Sequence, residues 1–181
     1  DLCASGSKNM HFKLFIATVI YTMSQLLLIP AANADEFKGK VIAVTDGDSM
    51  IVMRDNVKEK VILFGVDCPE KGQDFGKEAR DFTDSLVHGK IVSVKEKGTD
   101  RYKRIIAQVY LPDGSDLNQQ LVKKGLAWWS DKFAPNDADL KRYHDDSKKN
   151  HIGLWAGPKP IAPWIYRNGE KAVQGVVKVA Q

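Results

Sequence analysis

GKVIAVTDGDSMIVMRDNVKEKVILFGV, residues 39–66, contains three apolar runs, Lys40 to Val44, Ser49 to Met53 and Lys60 to Val66, each rich in Val, Ile or Met. Asp46-Gly47 and Asp55-Asn56 lie between them, and both pairs favour tight reversals, so the stretch predicts a three-stranded β-meander. Downstream, Phe75, Ala79, Phe82 and Leu86 recur at helical spacing in an otherwise charged segment that ends at Gly89. This is the pattern of an amphipathic helix closed by glycine.

Two further strands are expected, Ile91 to Glu96 and Arg104 to Leu111, joined as a hairpin by the polar turn Lys97 to Lys103. Leu117, Leu121 and Val122 mark a second helix stopped by Gly125, and Asp137 to Asn150 a third ending before Gly153. Links of hairpin length cannot make parallel crossovers. Five strands with a helix after the third therefore predict a closed Greek-key barrel of the OB-fold kind, an α+β protein with about three helices.

The chain has 181 residues, 27 of them basic and 23 acidic, for a net charge of +4. That composition excludes a disordered or collagen-like chain, and attraction for a polyanion has to come from where the charges sit. Met10 to Lys13, the apolar run Leu14 to Pro30 and Ala-Ala-Asn-Ala at 31–34 read as a secretory signal cleaved after Ala34. Residues 1–9 lie ahead of Met10 and are set aside with it. The expected organisation is an upstream segment and signal over 1–34, an OB-fold domain over 35–155 and a Pro- and Gly-containing tail over 156–181, mostly irregular and on the surface. Beyond the signal Cys68 is the only cysteine, so no intrachain disulfide forms there. A secreted or periplasmic monomer without stable membrane association is expected.

Two clusters can carry chemistry. Asp46-Gly47-Asp48 follows the first strand and Asp67-Cys68-Pro69-Glu70 ends the third, so the meander can gather hard carboxylate oxygens at one rim, a donor set that suits Ca²⁺. Read separately, Asp46-Gly47 is a turn and Asp67 precedes a proline, and neither requires a metal. The second cluster is Lys95, Lys97, Arg101, Lys103 and Arg104 around Tyr102, suited to phosphate or, more plainly, to a solvated hairpin edge. Trp128, Trp129 and Trp155 read as core residues, His144 and His151 as surface residues, and the histidine spacing gives no zinc pattern.

The ordered set Val44-Thr45-Asp46-Gly47-Asp48-Ser49, Gly65-Val66-Asp67-Cys68-Pro69-Glu70, Thr99-Asp100-Arg101-Tyr102-Lys103-Arg104, Gly125-Leu126-Ala127 and Gly153-Leu154-Trp155 resembles the thermonuclease family. These are micrococcal-nuclease-like (staphylococcal nuclease) secreted enzymes, and the resemblance covers roughly Gly39 to Trp155. Pro163-Trp164-Ile165-Tyr166-Arg167 also looks like the ending of some exported members. The resemblance implies an OB-fold endonuclease that cleaves DNA and RNA with little sequence preference and leaves 3′-phosphate ends. It also implies Asp48, Asp67 and the Cys68 carbonyl as Ca²⁺ ligands, and Glu70 as the general base. Arg104 then stabilises the transition state, and Arg101 and Tyr102 contact a terminal phosphate. The Cys68 sulfur, a poor Ca²⁺ ligand, should point away from the ion.

One departure concerns catalysis. Family members usually carry an arginine five residues before the aspartate of Asp-x-Pro-Glu, and here that residue is Ile62. Losing one preorganised donor typically costs about 3–4 kcal/mol, roughly 10²- to 10³-fold in rate. Lys60, two residues earlier on the same strand face and displaced by about 6.6 Å, is the substitute the sequence offers. Asp131 and Phe133 stand near where relatives place tyrosines of the nucleotide pocket. Alternative readings are a catalytically eroded OB-fold module that binds nucleic acid or another polyanion, and a structural or partner-binding domain.

Overall fold

The computed structural model describes residues 36–157 and 159–169. The expected upstream segment and signal over 1–34 and the last residues of the tail lie outside them. Five strands close a barrel: β1 (Glu36–Asp46), β2 (Ser49–Arg54), β3 (Val57–Leu63), β5 (Ile91–Thr99) and β6 (Ile105–Tyr110), in the order β1-β2-β3-β6-β5. All neighbours are antiparallel except β3 and β6, which close the barrel as a parallel pair from Val61↔Ile105 to Leu63↔Ala107. The expected α+β barrel is therefore the observed fold.

The β2–β3 reversal places Asp55 and Asn56 at φ 46° and 67°, the left-handed region that short polar side chains tolerate in tight hairpins. Val41, Met50, Val52, Val61, Leu63, Val92, Val94, Ala107 and Val109 alternate inward and fill the barrel. Helix α1 (Gly76–Val87) buries Ala79, Thr83 and Val87 against it, with Phe75, Phe82 and Leu86 partly buried alongside. Helices α2 (Leu117–Lys123) and α3 (Ala138–Lys149) each start on an aspartate cap: Asp116 accepts from Gln119 N–H at 3.1 Å and Asp137 from Leu140 N–H at 2.9 Å. A 3₁₀ turn (Gly153–Ala156) follows. No helix among the described residues is long and apolar enough to cross a membrane.

Three local expectations are corrected. The strand expected over Lys60 to Val66 stops at Leu63, because Gly65 turns to φ 74° and the buried Asn118 ties the bend down. Its amide donates to the Phe64 carbonyl at 2.8 Å while its oxygen accepts from Val109 N–H at 3.2 Å. The chain then re-forms as β4 (Val66–Asp67), paired with β7 (Trp128–Trp129).

His144, expected at the surface, is buried at 8% exposure among Trp128, Trp129 and Trp155. The tail is not irregular throughout: residues 163–169 form a fourth helix, α4. Ala162 is buried at its start, Trp164 packs edge-on against Trp128 at 5.5 Å, and Gln73 Nε2 donates to the Ile161 carbonyl at 2.6 Å.

Candidate active site

One mouth of the barrel opens into a cavity of about 660 Å³. Its walls come from the β1–β2 turn, the segment after β4, the β5–β6 hairpin, the Ser130–Phe133 loop and α4.

The β1–β2 turn is held from below. Thr83 Oγ1, from α1, donates to the Gly47 carbonyl at 2.6 Å, and a side chain at Gly47 would sit 2.8 Å from both the Cys68 sulfur and the Ala79 methyl. Glycine is required here for space. Asp48 Oδ2 accepts from the Cys68 N–H at 2.8 Å, which joins the turn to the Asp67–Glu70 segment. Burial, reinforced by the negative charges of Asp67 and Glu70 and opposed by the Cys68 N–H, pushes the Asp48 carboxyl up to about 7. Asp46 lines the same cavity and is also shifted up, by burial and by Glu70.

The Cys68 side chain is buried at 2% exposure beneath the turn, and burial with the surrounding acids drives its thiol far up, so it is an inert packing group. The segment continues across the start of α1, where Gly76 leaves room for the Glu70 carbonyl. Gln73 fixes Glu70 by accepting from its N–H at 3.0 Å.

The part of the lining contributed by the β5–β6 hairpin is basic. Asp100 Oδ1 accepts from the N–H groups of Tyr102 and Arg104 at 2.8 and 2.9 Å, and its Oδ2 accepts from Arg104 Nε at 2.7 Å. The aspartate thus shapes the turn and orients the guanidinium by its Nε edge. Arg101 lies over the Tyr102 ring at 4.8 Å, and Lys97 completes this part of the lining.

The expected residues Asp48, Asp67, Cys68, Glu70, Arg101, Tyr102 and Arg104 all line this cavity. Lys60 does not: it is exposed on β3 opposite Ile51, outside the lining, whereas Ile62 contributes an apolar surface to it. Phe133 lines the mouth and is 63% exposed.

Arg167, from α4, was not among the expected site residues. Its Nη1 and Nη2 donate to Asp67 Oδ1 and Oδ2 at 3.0 and 2.7 Å, and Nη1 also donates to Glu70 Oε1. Burial raises the Asp67 carboxyl and outweighs the opposing pull of Arg167. A single arginine in a Pro- and Gly-containing tail has no local signature of such a role. The only available sign was the resemblance of Pro163–Arg167 to other exported chains.

The carboxylate oxygens of Asp48 and Asp67 are hard donors, and the rise of Asp48 marks a buried charge short of a counter-charge, which suits a hard divalent cation. Among the described residues no three His, Cys, Asp or Glu side chains converge as a ready-made cage. Among the described residues, Arg167 is the cation paired with Asp67 and Glu70.

Residues 60–157 match the family model described as staphylococcal nuclease homologue. The chain is 39% identical over 139 residues to an uncharacterized endonuclease of Escherichia coli, covering 77% of this chain and 90% of that protein. It is 31% identical over 155 residues to the micrococcal nuclease of Shigella flexneri, covering 81% and 89%. An uncharacterized endonuclease of Haemophilus influenzae is 33% identical over 154 residues, covering 82% and 85%. With more than half its length matched by the family model and most of both chains aligned with these nucleases, the protein belongs to the staphylococcal nuclease homologue family.

Proposed function

We propose that the protein is an exported, monomeric, Ca²⁺-dependent endonuclease that hydrolyses DNA and RNA to 3′-phosphate and 5′-hydroxyl ends. The observation that carries this reading is one cavity lined both by Asp48, Asp67 and Glu70 and by Arg101, Tyr102 and Arg104. Export is supported by the signal-like segment over 10–34.

Asp48 and Asp67, with the Cys68 carbonyl, are the groups that would hold the ion, which when bound supplies Lewis-acid neutralisation of the phosphate. Glu70 takes a proton from the attacking water, whose oxygen bonds to phosphorus as the bond to the 5′ oxygen breaks. Water is thereby divided between the new 3′-phosphate and the 5′-hydroxyl. Arg104, oriented by Asp100, donates to the charge that grows on the phosphate oxygens. Arg101 and Tyr102, exposed on the hairpin, hold a neighbouring phosphate.

The pairing of both Asp67 and Glu70 with Arg167 favours one other reading, a closed site kept for binding polyanions on the hairpin. The test is cleavage of single-stranded DNA with Ca²⁺ and with chelator, beside Glu70→Gln. Metal-dependent cleavage abolished in the folded variant supports the enzyme. Salt-sensitive DNA binding with no turnover supports the binding module.

A further inference from the structure

Four observations converge on Arg167. Its guanidinium lies in the cavity wall, bidentate on Asp67 and bonded to Glu70, the residue assigned as base. Its side chain remains 39% exposed, so part of it faces the open cavity. The strand side that should deliver a cation is apolar at Ile62, and Lys60 points outside the lining. The helix that carries Arg167 is docked by the Trp164–Trp128 contact, the buried Ala162 and the Gln73–Ile161 hydrogen bond, so the fold holds the arginine in place.

A phosphodiester entering the cavity brings negative charge to a site where both carboxylates repel it. A planar guanidinium beside the base is the group suited to receive that charge by paired N–H donors. The ion pair stores the arginine beside the reacting position without substrate, and on arrival of phosphate its paired N–H donors exchange Asp67 for the phosphate oxygens, which frees Asp67 for the ion.

We propose that Arg167 is a phosphate-binding catalytic arginine of this nuclease, brought into the active site by the C-terminal helix in place of an arginine at position 62. The proposal rests on the nuclease reading above. It makes α4 part of the active site, although the family match ends at residue 157.

The test compares the parent protein with Arg167→Met, Arg167→Lys, Ile62→Arg and the double variant Ile62→Arg/Arg167→Met. Cleavage of single-stranded DNA with Ca²⁺ is read as kcat and KM. Affinity for thymidine 5′-phosphate, which has no diester to cleave, is read by calorimetry, and thermal melts check folding. Arg167→Met is expected to lower kcat by on the order of 10²- to 10³-fold and to weaken thymidine 5′-phosphate binding by about tenfold or more. Lysine should restore part of both, and Ile62→Arg should recover at least about tenfold in kcat when Arg167 is absent.

A folded Arg167→Met that cleaves as fast as the parent or faster, with unchanged nucleotide affinity, overturns the proposal and makes the ion pair a latch. If the parent itself does not cleave DNA, the nuclease reading fails. The nucleotide arm then decides this proposal: lost affinity in Arg167→Met upholds phosphate binding by Arg167, and unchanged affinity refutes it.

Discussion

Replacing Gly47 by alanine tests whether the two acidic segments of the cavity are held by one close contact. The added methyl would lie 2.8 Å from the Cys68 Sγ, the Cys68 Cβ and the Ala79 Cβ, about 1 Å inside the optimal carbon separation. Relief requires either the Asp67–Glu70 segment or α1 to retreat, and both are fixed, the first by Asp48 on the Cys68 N–H and the second by Thr83 on the Gly47 carbonyl. Overpacking of this kind costs about 1–3 kcal/mol, which for a domain of this size lowers Tm by roughly 3–10 °C. A shift of about 1 Å between Asp48 and Glu70 should also slow cleavage on the order of 10²-fold. Thermal melts and a DNA-cleavage assay check this. Gly47→Ala/Cys68→Ala, which removes the sulfur, should regain part of the loss, whereas Gly157→Ala, whose new methyl meets nothing closer than 3.8 Å, should match the parent. A Gly47→Ala protein with Tm within about 1 °C of the parent and undiminished cleavage would refute the contact as the device that aligns the acids.

Two further predictions concern charge. The Asp48 carboxyl, pushed from 3.8 to about 7, keeps its proton in the folded metal-free state while the unfolded chain releases it, so in chelator stability should fall as pH rises from about 4 to 7. Asp48→Asn should remove that fall and raise the urea midpoint at pH 8 but not at pH 4; equal midpoints for the two proteins at pH 8 would contradict it. Burial among the tryptophans, with nearby Lys148, holds the His144 imidazole below its usual 6.5, against an opposing pull from Asp145 at 3.6 Å. The unfolded state then takes up the proton first, so stability contributed by neutral His144 is lost as pH falls through 6.5, and His144→Leu should flatten the Tm profile between pH 7 and 5.

Much of the architecture was legible because each local choice carried its own physics. Runs rich in Val, Ile and Met marked the strands, and the Asp46-Gly47 and Asp55-Asn56 pairs marked reversals. Asp48 sat at the first of those reversals, Asp67 and Glu70 beyond the third strand and the cations on the β5–β6 turn, and closing the barrel brought them to one cavity. What was missed depended on partners far away. Gly65 lies within an apolar run that reads as strand, and the bend there is held by Asn118, 54 residues from Phe64. His144 lies on a mostly polar helix, and only the arrival of Trp128 and Trp155 buries it.

The strand runs, their turns and the two clusters of opposite charge follow from short stretches of chain, since backbone and turn preferences act over a few neighbours. Long-range packing instead sets the closure of the barrel through the parallel β3–β6 pair and keeps Lys60 outside the cavity lining. The same packing brings Arg167 to Asp67 across 100 residues of chain. An ion pair of that separation has no local signature; packing of α4 against Trp128 chooses which cation the half-buried carboxylates receive.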